Sequence, residues 1–205
     1  MLYENANTNV PRFEFSNVAT YAGFLNEGAR TNVVTNPRQE GGTPGIPGVQ
    51  PTDIRVWNLS TSGLTIEYVQ NVTNGIMTGV RYRLFGTAAA TASVSNLFAP
   101  STAGWAASAG QNWTGSVFVA VQNGLGSVSS FVLRTAALAG SSTLGTTSSS
   151  LLGLLTAVPR RFTQPYANLP ATTTGVAHQL LIGVTSGAAV DITFAVSYTH
   201  LRAHE

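Results

Sequence analysis

The chain has no cysteine and no lysine, and only 9% of its 205 residues are charged, against about 25% in typical soluble domains. The absence of cysteine excludes disulfides and thiolate-based metal or redox sites. Arginine is therefore the strong cation, and ten arginines against eight carboxylates give a net charge of +2. Nucleic-acid and anionic-membrane surfaces are bound by clustered cations, so we predict neither partner. No apolar run approaches the roughly 18 residues of a transmembrane helix.

Catalytic motifs are missing as well. There is no G-x-S-x-G element, no P-loop and no H-E-x-x-H. Glycoside hydrolysis needs two carboxyl groups roughly 5–10 Å apart; Glu67 and Asp191 lie on predicted outward strand faces, but nothing in the sequence pairs them. His178 lies in a strand pattern, and we predict a surface or rim position for it. We therefore predict no enzyme, no catalytic residue and no cofactor, and also no metal, because no D-x-D-type oxygen cluster is present.

An alternating pattern dominates residues 111–133. One face of its first half carries Trp113, Gly115, Val117, Val119 and Val121, and the other carries Thr114, Ser116, Phe118 and Ala120. A period of two, rich in β-branched and aromatic residues, is typical of a strand. A glycine-containing turn at 122–127 precedes a second extended pattern at 128–133. We predict two antiparallel neighbours near the centre of a β-sandwich.

The same period recurs along the chain. Residues 64–69, 77–85 and 190–198 alternate, the last with five apolar side chains on one face: Val190, Ile192, Phe194, Val196 and Tyr198. No apolar stripe keeps a 3.6-residue period over three turns, so little helix is expected. About eight to ten strands, with turn signals every 8–12 residues, predict an all-β, jelly-roll-like antiparallel β-sandwich.

Two stretches lack this alternation. Residues 36–51 contain four prolines and four glycines, which exclude regular helix and central strand and predict an exposed loop. Residues 134–155 are rich in Ser, Thr and Gly, and we predict a long loop or a ragged strand with a helical turn.

The N-terminal part predicts a short β-hairpin, with strands at 12–15 and 21–25. Its P-R-F-E-F and the following G-F-L-N-E-G-A-R-T-N resemble a junction of phage tail and appendage proteins, in which an R-F hairpin leads into a sandwich of carbohydrate-binding-module type. The matching positions are Arg12, Phe13, Glu27, Ala29, Arg30, Thr31 and Asn32. Three later segments, T-G-V-R-Y-R-L-F-G-T, G-Q-N-W-T-G-S-V-F-V-A and P-R-R-F-T-Q-P-Y-A-N-L, are similar in order and spacing to landmarks of that family.

The resemblance implies a domain organisation. Residues 1–32 would form the hairpin connector and residues 33–198 the sandwich. Residues 199–205 depart from the family pattern and resemble translated sequencing-adapter sequence from the ends of metagenomic fragments. We therefore expect 199–205 to be a non-native tail, and the natural protein to continue past Tyr198.

Sugar recognition needs a flat aromatic face and planar amide, carboxylate or guanidinium groups. The predicted binding residues are Trp105, Trp57, Arg81, Arg83 and Gln122, with Asp53 and Asn123 as further polar candidates. Trp105 has no alternation around it and is the best candidate for an exposed platform; the alternative is that it caps one end of the core. Trp57 fits either a platform or the core, and Trp113 begins a core strand. Arg81 and Arg83 have the alternative of covering the outer face of their strand or pairing with Glu67 across it.

The family resemblance implies a structural domain of a phage virion appendage, a tail fibre or spike that contacts host surface glycans. Its partners would be other virion proteins and further copies of itself, as a homotrimer, and its location the virion. The alternative is a carbohydrate-binding module of a secreted polysaccharide-active enzyme.

Overall fold

The structure is a computed structural model, and it describes residues 12–15, 21–25, 30–32, 36, 40–51, 54–57, 62–74, 77–98 and 101–203. Its strands, in chain order, are β1 (Arg12–Phe15), β2 (Tyr21–Leu25), β3 (Arg30–Asn32), β4 (Ile54–Trp57), β5 (Thr65–Asn74), β6 (Met77–Thr87), β7 (Ala92–Phe98), β8 (Trp105–Ala106), β9 (Trp113–Asn123), β10 (Ser130–Ala139), β11 (Ser142–Ser150), β12 (Arg160–Tyr166), β13 (Gly175–Val184) and β14 (Ala189–Ala203). A 3-10 turn spans Leu125–Ser127. In the described ranges no helix is long and apolar enough to cross a membrane.

The strands form the predicted N-terminal hairpin and two antiparallel six-stranded sheets. β1 pairs with β2 at the predicted bounds. One sheet, called here the β13 sheet, has the order β11-β10-β13-β7-β4, with β8 also on β13. The other, called the β14 sheet, has the order β12-β9-β14-β6-β5, with β3 also on β14. The predicted jelly-roll-like antiparallel sandwich is confirmed.

The core lies between the two sheets, where the alternating patterns predicted it. Val80, Tyr82 and Leu84 of β6 are fully buried, and so are Val117 and Val119 of β9. Aromatic rings link the layers, because Phe194 of β14 packs against Tyr82 within its sheet and meets Phe131 of β10 edge-to-face across the sandwich. Trp113 is 1% exposed, which confirms its predicted place in the core.

The prediction that residues 111–133 form a pair of neighbouring strands is wrong. β9 pairs with β12 and β14, whereas β10 pairs with β11 and β13. The connection between them crosses from one sheet to the other, and Gly124 begins it with φ +76°. A Cβ at Gly124 would lie 1.8 Å from the Asp191 carbonyl oxygen. Both strands alternate because each buries one face in the same core from opposite sides.

Residues 134–155 are more regular than predicted. β10 continues to Ala139, and β11 returns beside it as an antiparallel partner over Ser142–Ser150. The sequence does not predict β11 as a strand, because β11 is the end strand of its sheet and most of its residues are exposed. Ser and Thr on both faces leave no apolar alternation to detect. The loop prediction for 36–51 holds for its described residues, which contain only isolated pairings, Thr43 with Val49 and Gly45 with Tyr68.

The predicted surface or rim position of His178 is wrong, because its side chain is fully buried. Thr135 of β10 lies beside it, with Oγ1 2.8 Å from the His178 Nδ1 atom. The same Thr135 hydroxyl donates to the Gln164 carbonyl oxygen of β12. Space for the imidazole comes from Gly115 across the sandwich, where a Cβ would lie 2.1 Å from Nδ1. His178 is therefore a core residue of β13. The glycine that leaves room for its ring, Gly115, lies on β9 of the opposite sheet.

Candidate functional site

The outward-facing side of the β14 sheet carries most of the polar residues that the sequence analysis selected. Its centre is lined by small side chains of β9 and β14, Ala120 and Ala195, which are paired in register. Arg81 of β6 pairs with Ala195 on one side. On the other side Phe118 pairs with Arg161 of β12. Because directly paired residues share a face of the sheet, arginines stand on both sides of a floor of small residues.

We call this arrangement the outer-face site. Its large members are Arg81, Arg83, Phe118 and Arg161, with the exposed Gln122 at its margin, and its floor is Ser116, Ala120, Ala195 and Ser197. Arginine stems lie along apolar surface while their guanidinium groups stay accessible. The floor residues are themselves buried, so the accessible surface combines one partly exposed aromatic ring with planar hydrogen-bond donors, which are features of a ligand-binding surface.

One end of the site is a closed ion-pair cluster. Arg83 donates from Nε to Oδ1 and from Nη2 to Oδ2 of Asp191, each at 2.8 Å. Its Nη1 atom lies 3.9 Å from Oε2 of Glu67, and its guanidinium lies 4.7 Å from the centre of the Phe85 ring. The predicted pairing of Arg83 with Glu67 is confirmed, but the bidentate bond to Asp191 is the closer contact.

This cluster fixes the charge of its carboxylate. The hydrogen bonds from Arg83 lower the pKa of Asp191, and those to Asp191 raise the pKa of Arg83. A general acid in glycoside hydrolysis needs a carboxyl group whose pKa is raised. Asp191 is shifted in the opposite direction. In the described part of the chain, no group of three His, Cys, Asp or Glu side chains could hold a metal ion.

The other end of the site is open. Arg161 donates from Nε to the Ser116 hydroxyl at 2.7 Å, so its side chain leans over β9. The Nε atom of Arg81 is buried and has no hydrogen-bond partner among the described residues. No carboxylate of the described ranges forms an ion pair with either arginine.

A small apolar cluster supports this open end. Val72, Met77 and Ala195 are buried on the outer side of the sheet, and Phe118 packs against them while staying partly exposed. Met77 is 2% exposed. The cluster joins four neighbouring strands, so the Phe118 ring is held in place by its neighbours.

The tryptophans do not belong to this site. Trp105 is 7% exposed, and its ring stacks on Tyr198 with centroids 5.9 Å apart. The predicted exposed platform is therefore wrong, and the alternative that Trp105 caps the core is correct. The reason is that β8 pairs with β13, opposite Val176, which turns the indole between the sheets.

Trp57 lies in β4, at the end of the β13 sheet. Its backbone pairs with Ser95 of β7, Ser95 pairs with Leu181 of β13, and Leu181 pairs with Val132 of β10. Leu181 and Val132 are partly exposed on the outward side of that sheet. The backbone of Trp57 therefore belongs to the β13 sheet, whereas the outer-face site lies on the β14 sheet. Its side chain lies outside the described residues, as does Asp53.

Gln122 and Asn123 lie where β9 ends. The pairing of β9 with β14 is irregular here, so Gln122 falls between two paired positions. Both side chains are exposed, and the Asn123 Oδ1 atom accepts a hydrogen bond from the Thr193 amide at 3.0 Å. The exposed amide of Gln122 therefore lies at this end of β9.

Sequence reasoning missed two members of the site. Phe118 was placed on the outward face of its strand by alternation, and an aromatic ring on a polar face was a usable signal. Arg161 gave no signal, because nothing in the sequence shows that β12 and β6 lie on either side of β9 and β14 in one sheet.

No protein-family model matches the chain, and no curated protein matches it. Solved structures match at the level of the fold. The carbohydrate-binding and catalytic modules of endo-1,4-β-xylanase 10B from Clostridium thermocellum match with 12% identity and TM-score 0.45, over 75% of this chain and 26% of that one. A domain of tailspike protein 4 from bacteriophage CBA120 matches with 11% identity and TM-score 0.43, over 66% and 17%. A Stig cyclase from Fischerella matches with 12% identity and TM-score 0.49, over 86% and 100%.

These structures differ in activity and share little sequence with this chain. The chain spans only about a quarter or less of the xylanase and tailspike chains. Function therefore has to be argued from the site of this chain itself.

Proposed function

We propose that this chain is a structural β-sandwich domain of a phage virion appendage, a tail fibre or spike, and that its outer-face site contacts host surface glycans. The observation that supports glycan contact is the combination of the accessible Phe118 and Gln122 with Arg81 and Arg161, which form no ion pair with a carboxylate of the described residues. A ring that packs on one side and planar donors beside it match the apolar face and the hydroxyl groups of a sugar.

The virion setting is supported by the sequence resemblance to phage tail and appendage proteins. That setting implies other virion proteins as partners, self-association as a homotrimer and a location on the virion. Light scattering of the chain tests the assembly: a trimer is expected, and a monomer at all concentrations would contradict this part of the proposal.

The domain is proposed to bind without catalysing a reaction. The two carboxylates that meet on the outer face, Glu67 and Asp191, share Arg83 as their partner. Arg83 lowers the pKa of Asp191, which suits a structural ion pair better than proton transfer to a leaving group.

A glycan array tests the binding proposal. Phe118→Ala combined with Gln122→Ala is expected to weaken binding by about fivefold or more, because both lose direct contacts. Leu181→Ala, on the opposite outer face, is the matched control and should leave binding unchanged. Equal signals for all three proteins, or a loss confined to Leu181→Ala, would contradict the proposed site.

The sequence-based alternative, a carbohydrate-binding module of a secreted polysaccharide-active enzyme, would use the same site. The two readings differ in their genomic setting. Tail-assembly or capsid genes beside this one support the virion proposal, and a catalytic domain in the same gene supports the alternative.

A further inference from the structure

Charge is divided unevenly over the outer-face site, and the division indicates what the site binds. We infer that its ligand is an acidic saccharide, and that Arg81 and Arg161 bind its anionic group or groups. The inference rests on the proposed glycan-binding function and specifies the class of glycan.

The charge of Arg83 is already neutralised by neighbouring carboxylates. Both carboxylates on this face, Asp191 and Glu67, lie against Arg83. Its Nε and Nη2 atoms are engaged by the bidentate bond to Asp191. A ligand anion at this end would meet two negative side chains, so this end favours neutral hydroxyl groups.

Arg81, two residues earlier on the same strand, forms no ion pair with a carboxylate of the described residues. Its Nε atom is buried and lacks a hydrogen-bond acceptor among the described residues. A buried donor without an acceptor is costly, and native structures normally satisfy such groups. Arg81 as a whole is partly exposed, so a ligand carboxylate or sulfate would approach its guanidinium group from the solvent side and form a charge-assisted hydrogen bond there.

Arg161, in turn, is held in position without being neutralised. Its single described contact is the bond from Nε to the Ser116 hydroxyl, at 2.7 Å. This bond fixes the stem over β9 and leaves the other guanidinium nitrogens to a ligand. Because a guanidinium binds carboxylate and sulfate through two parallel hydrogen bonds, a positioned arginine is well suited to such an anion.

The last step is the spacing of the two cations. β14 and β9 separate β6 from β12, so the backbones of Arg81 and Arg161 lie three strand spacings, about 14 Å, apart across the sheet and two residues, about 7 Å, apart along it, or roughly 16 Å in all. Ala195, Ala120 and Phe118 occupy the interval. A saccharide lying across the strands could therefore rest on the partly exposed Phe118 ring between two positive groups.

Titration calorimetry with two matched pairs of saccharides tests the inference. Galacturonan oligomers and their fully methyl-esterified forms share one sugar and differ in carboxylate charge; dextran sulfate and dextran do the same for sulfate. The wild type is expected to bind a charged member more tightly than its neutral partner, with weaker binding at high salt because added ions screen the charges. Preference for one charged member identifies the anion as carboxylate or sulfate.

Two substitutions assign the effect to the named arginines. Arg81→Gln and Arg161→Gln are each expected to weaken binding of the charged saccharide by about tenfold to a hundredfold, the effect of one lost charge-assisted hydrogen bond. Binding of a neutral saccharide should change little. Arg160→Gln is the control, because Arg160 adjoins Arg161 but donates to the Leu154 carbonyl oxygen. It removes the same net charge and should leave affinity nearly unchanged.

A folding check keeps the result interpretable. Circular dichroism and the denaturation midpoint of each variant are compared with the wild type, and Arg81→Lys and Arg161→Lys retain the charge while removing the two-nitrogen contact. Partial binding by the lysine variants is expected. Equal affinity for charged and neutral members, unchanged by either glutamine substitution, would overturn the inference while leaving the proposed function intact. Failure to bind any saccharide of a broad array would instead contradict both the inference and the proposed glycan-binding function.

Discussion

The two faces of strand β9 differ in their burial and in the residues that contact them. On the inner face Gly115, Val117 and Val119 are enclosed by the opposite sheet. On the outer face Ala120 lies between long side chains, and Phe118 stays partly exposed. The inner face tolerates no added atom at Gly115, whereas the outer face keeps Phe118 partly exposed above small residues that are themselves buried. One strand therefore contributes to the stability of the domain through one face and to the proposed binding site through the other.

This comparison separates two kinds of aromatic residue. Trp105, the best platform candidate in the sequence, lies inside together with Trp113, which the sequence already assigned to the core. Phe118, a smaller ring, lies outside beside arginines. Exposure and neighbours, rather than ring size, decide which aromatic residue can meet a ligand.

Among the substitutions considered, the largest effect on the free energy of unfolding is expected in the core between the sheets. Trp105→Ala should lower the free energy of unfolding by about 3–5 kcal/mol, because a large buried ring is removed from its contacts with Tyr198 and His178. Phe118→Ala, on the outer side, should cost clearly less. Denaturant titrations followed by far-ultraviolet circular dichroism give both values. An unchanged midpoint for Trp105→Ala together with loss of glycan binding would show that Trp105 belongs to the binding site and not to the core.

A second inner-side change adds an atom instead of removing one. Gly115→Ala should destabilise the fold by about 1–3 kcal/mol, since the new methyl group would overlap the His178 ring. Gly153→Ala is the matched control, because nothing lies within 4 Å of a Cβ there. The same denaturant titrations measure the difference, and equal midpoints for the two variants would contradict the close packing at Gly115.

Alkaline pH should also lower the free energy of unfolding, through two buried tyrosines of the core. Burial raises the pKa of Tyr82 and of Tyr198 above the ordinary 10.0, so the folded chain holds these protons more tightly than the unfolded chain. Stability is then full below about pH 10 and falls as pH rises, by about 1.4 kcal/mol per pH unit for each tyrosine. Denaturation midpoints from pH 8 to pH 11.5 test this for the wild type and Tyr82→Phe. The variant should show a shallower decline, and parallel curves would count against the buried hydroxyl.

The smallest expected effect belongs to the outer face. Arg83 lowers the pKa of the Asp191 carboxyl, so this ion pair contributes its stability above the unfolded pKa and loses it as pH falls. Arg83→Gln should return the pKa of Asp191 toward its ordinary value, with a small shift of the denaturation midpoint because the pair is exposed. A carboxyl-detected NMR titration measures the pKa directly. An Asp191 pKa that does not rise would show that the pair does not persist in solution.

Alternation predicted the strands whose two faces differ. β6, β9 and β14 were found because the core lies on one side of each, and the hairpin of β1 and β2 was found at its true bounds. β11 was not found, because a strand at the end of a sheet with hydroxyl side chains on both faces has no such contrast. The crossing from β9 to β10 was not found either, since a glycine turn inside one sheet and one between two sheets look alike in sequence.

The site was predictable only in part for a related reason. The outward direction of Arg81 and Arg83 follows from the period of β6 alone, and the structure confirms it. That Arg161 stands across the floor from Arg81 depends on the strand order, which no local pattern encodes. The buried place of Trp105 likewise depends on the pairing of β8 with β13. The resemblance that implies a connector at 1–32, a sandwich at 33–198 and a non-native tail at 199–205 stays a prediction; β3 and the end of β14 do pair with each other.

The most direct test of the central claim is an NMR titration of the isotope-labelled chain with galacturonan oligomers, following the backbone amides and the arginine Nε–H signals. We expect shifts at Arg81, Arg161, Phe118 and Ala195 on the outer side of the β14 sheet, with Val132 and Leu181 unchanged. Shifts confined to Val132, Leu181 and the neighbourhood of Trp57 would contradict it and move the binding surface to the opposite face of the sandwich.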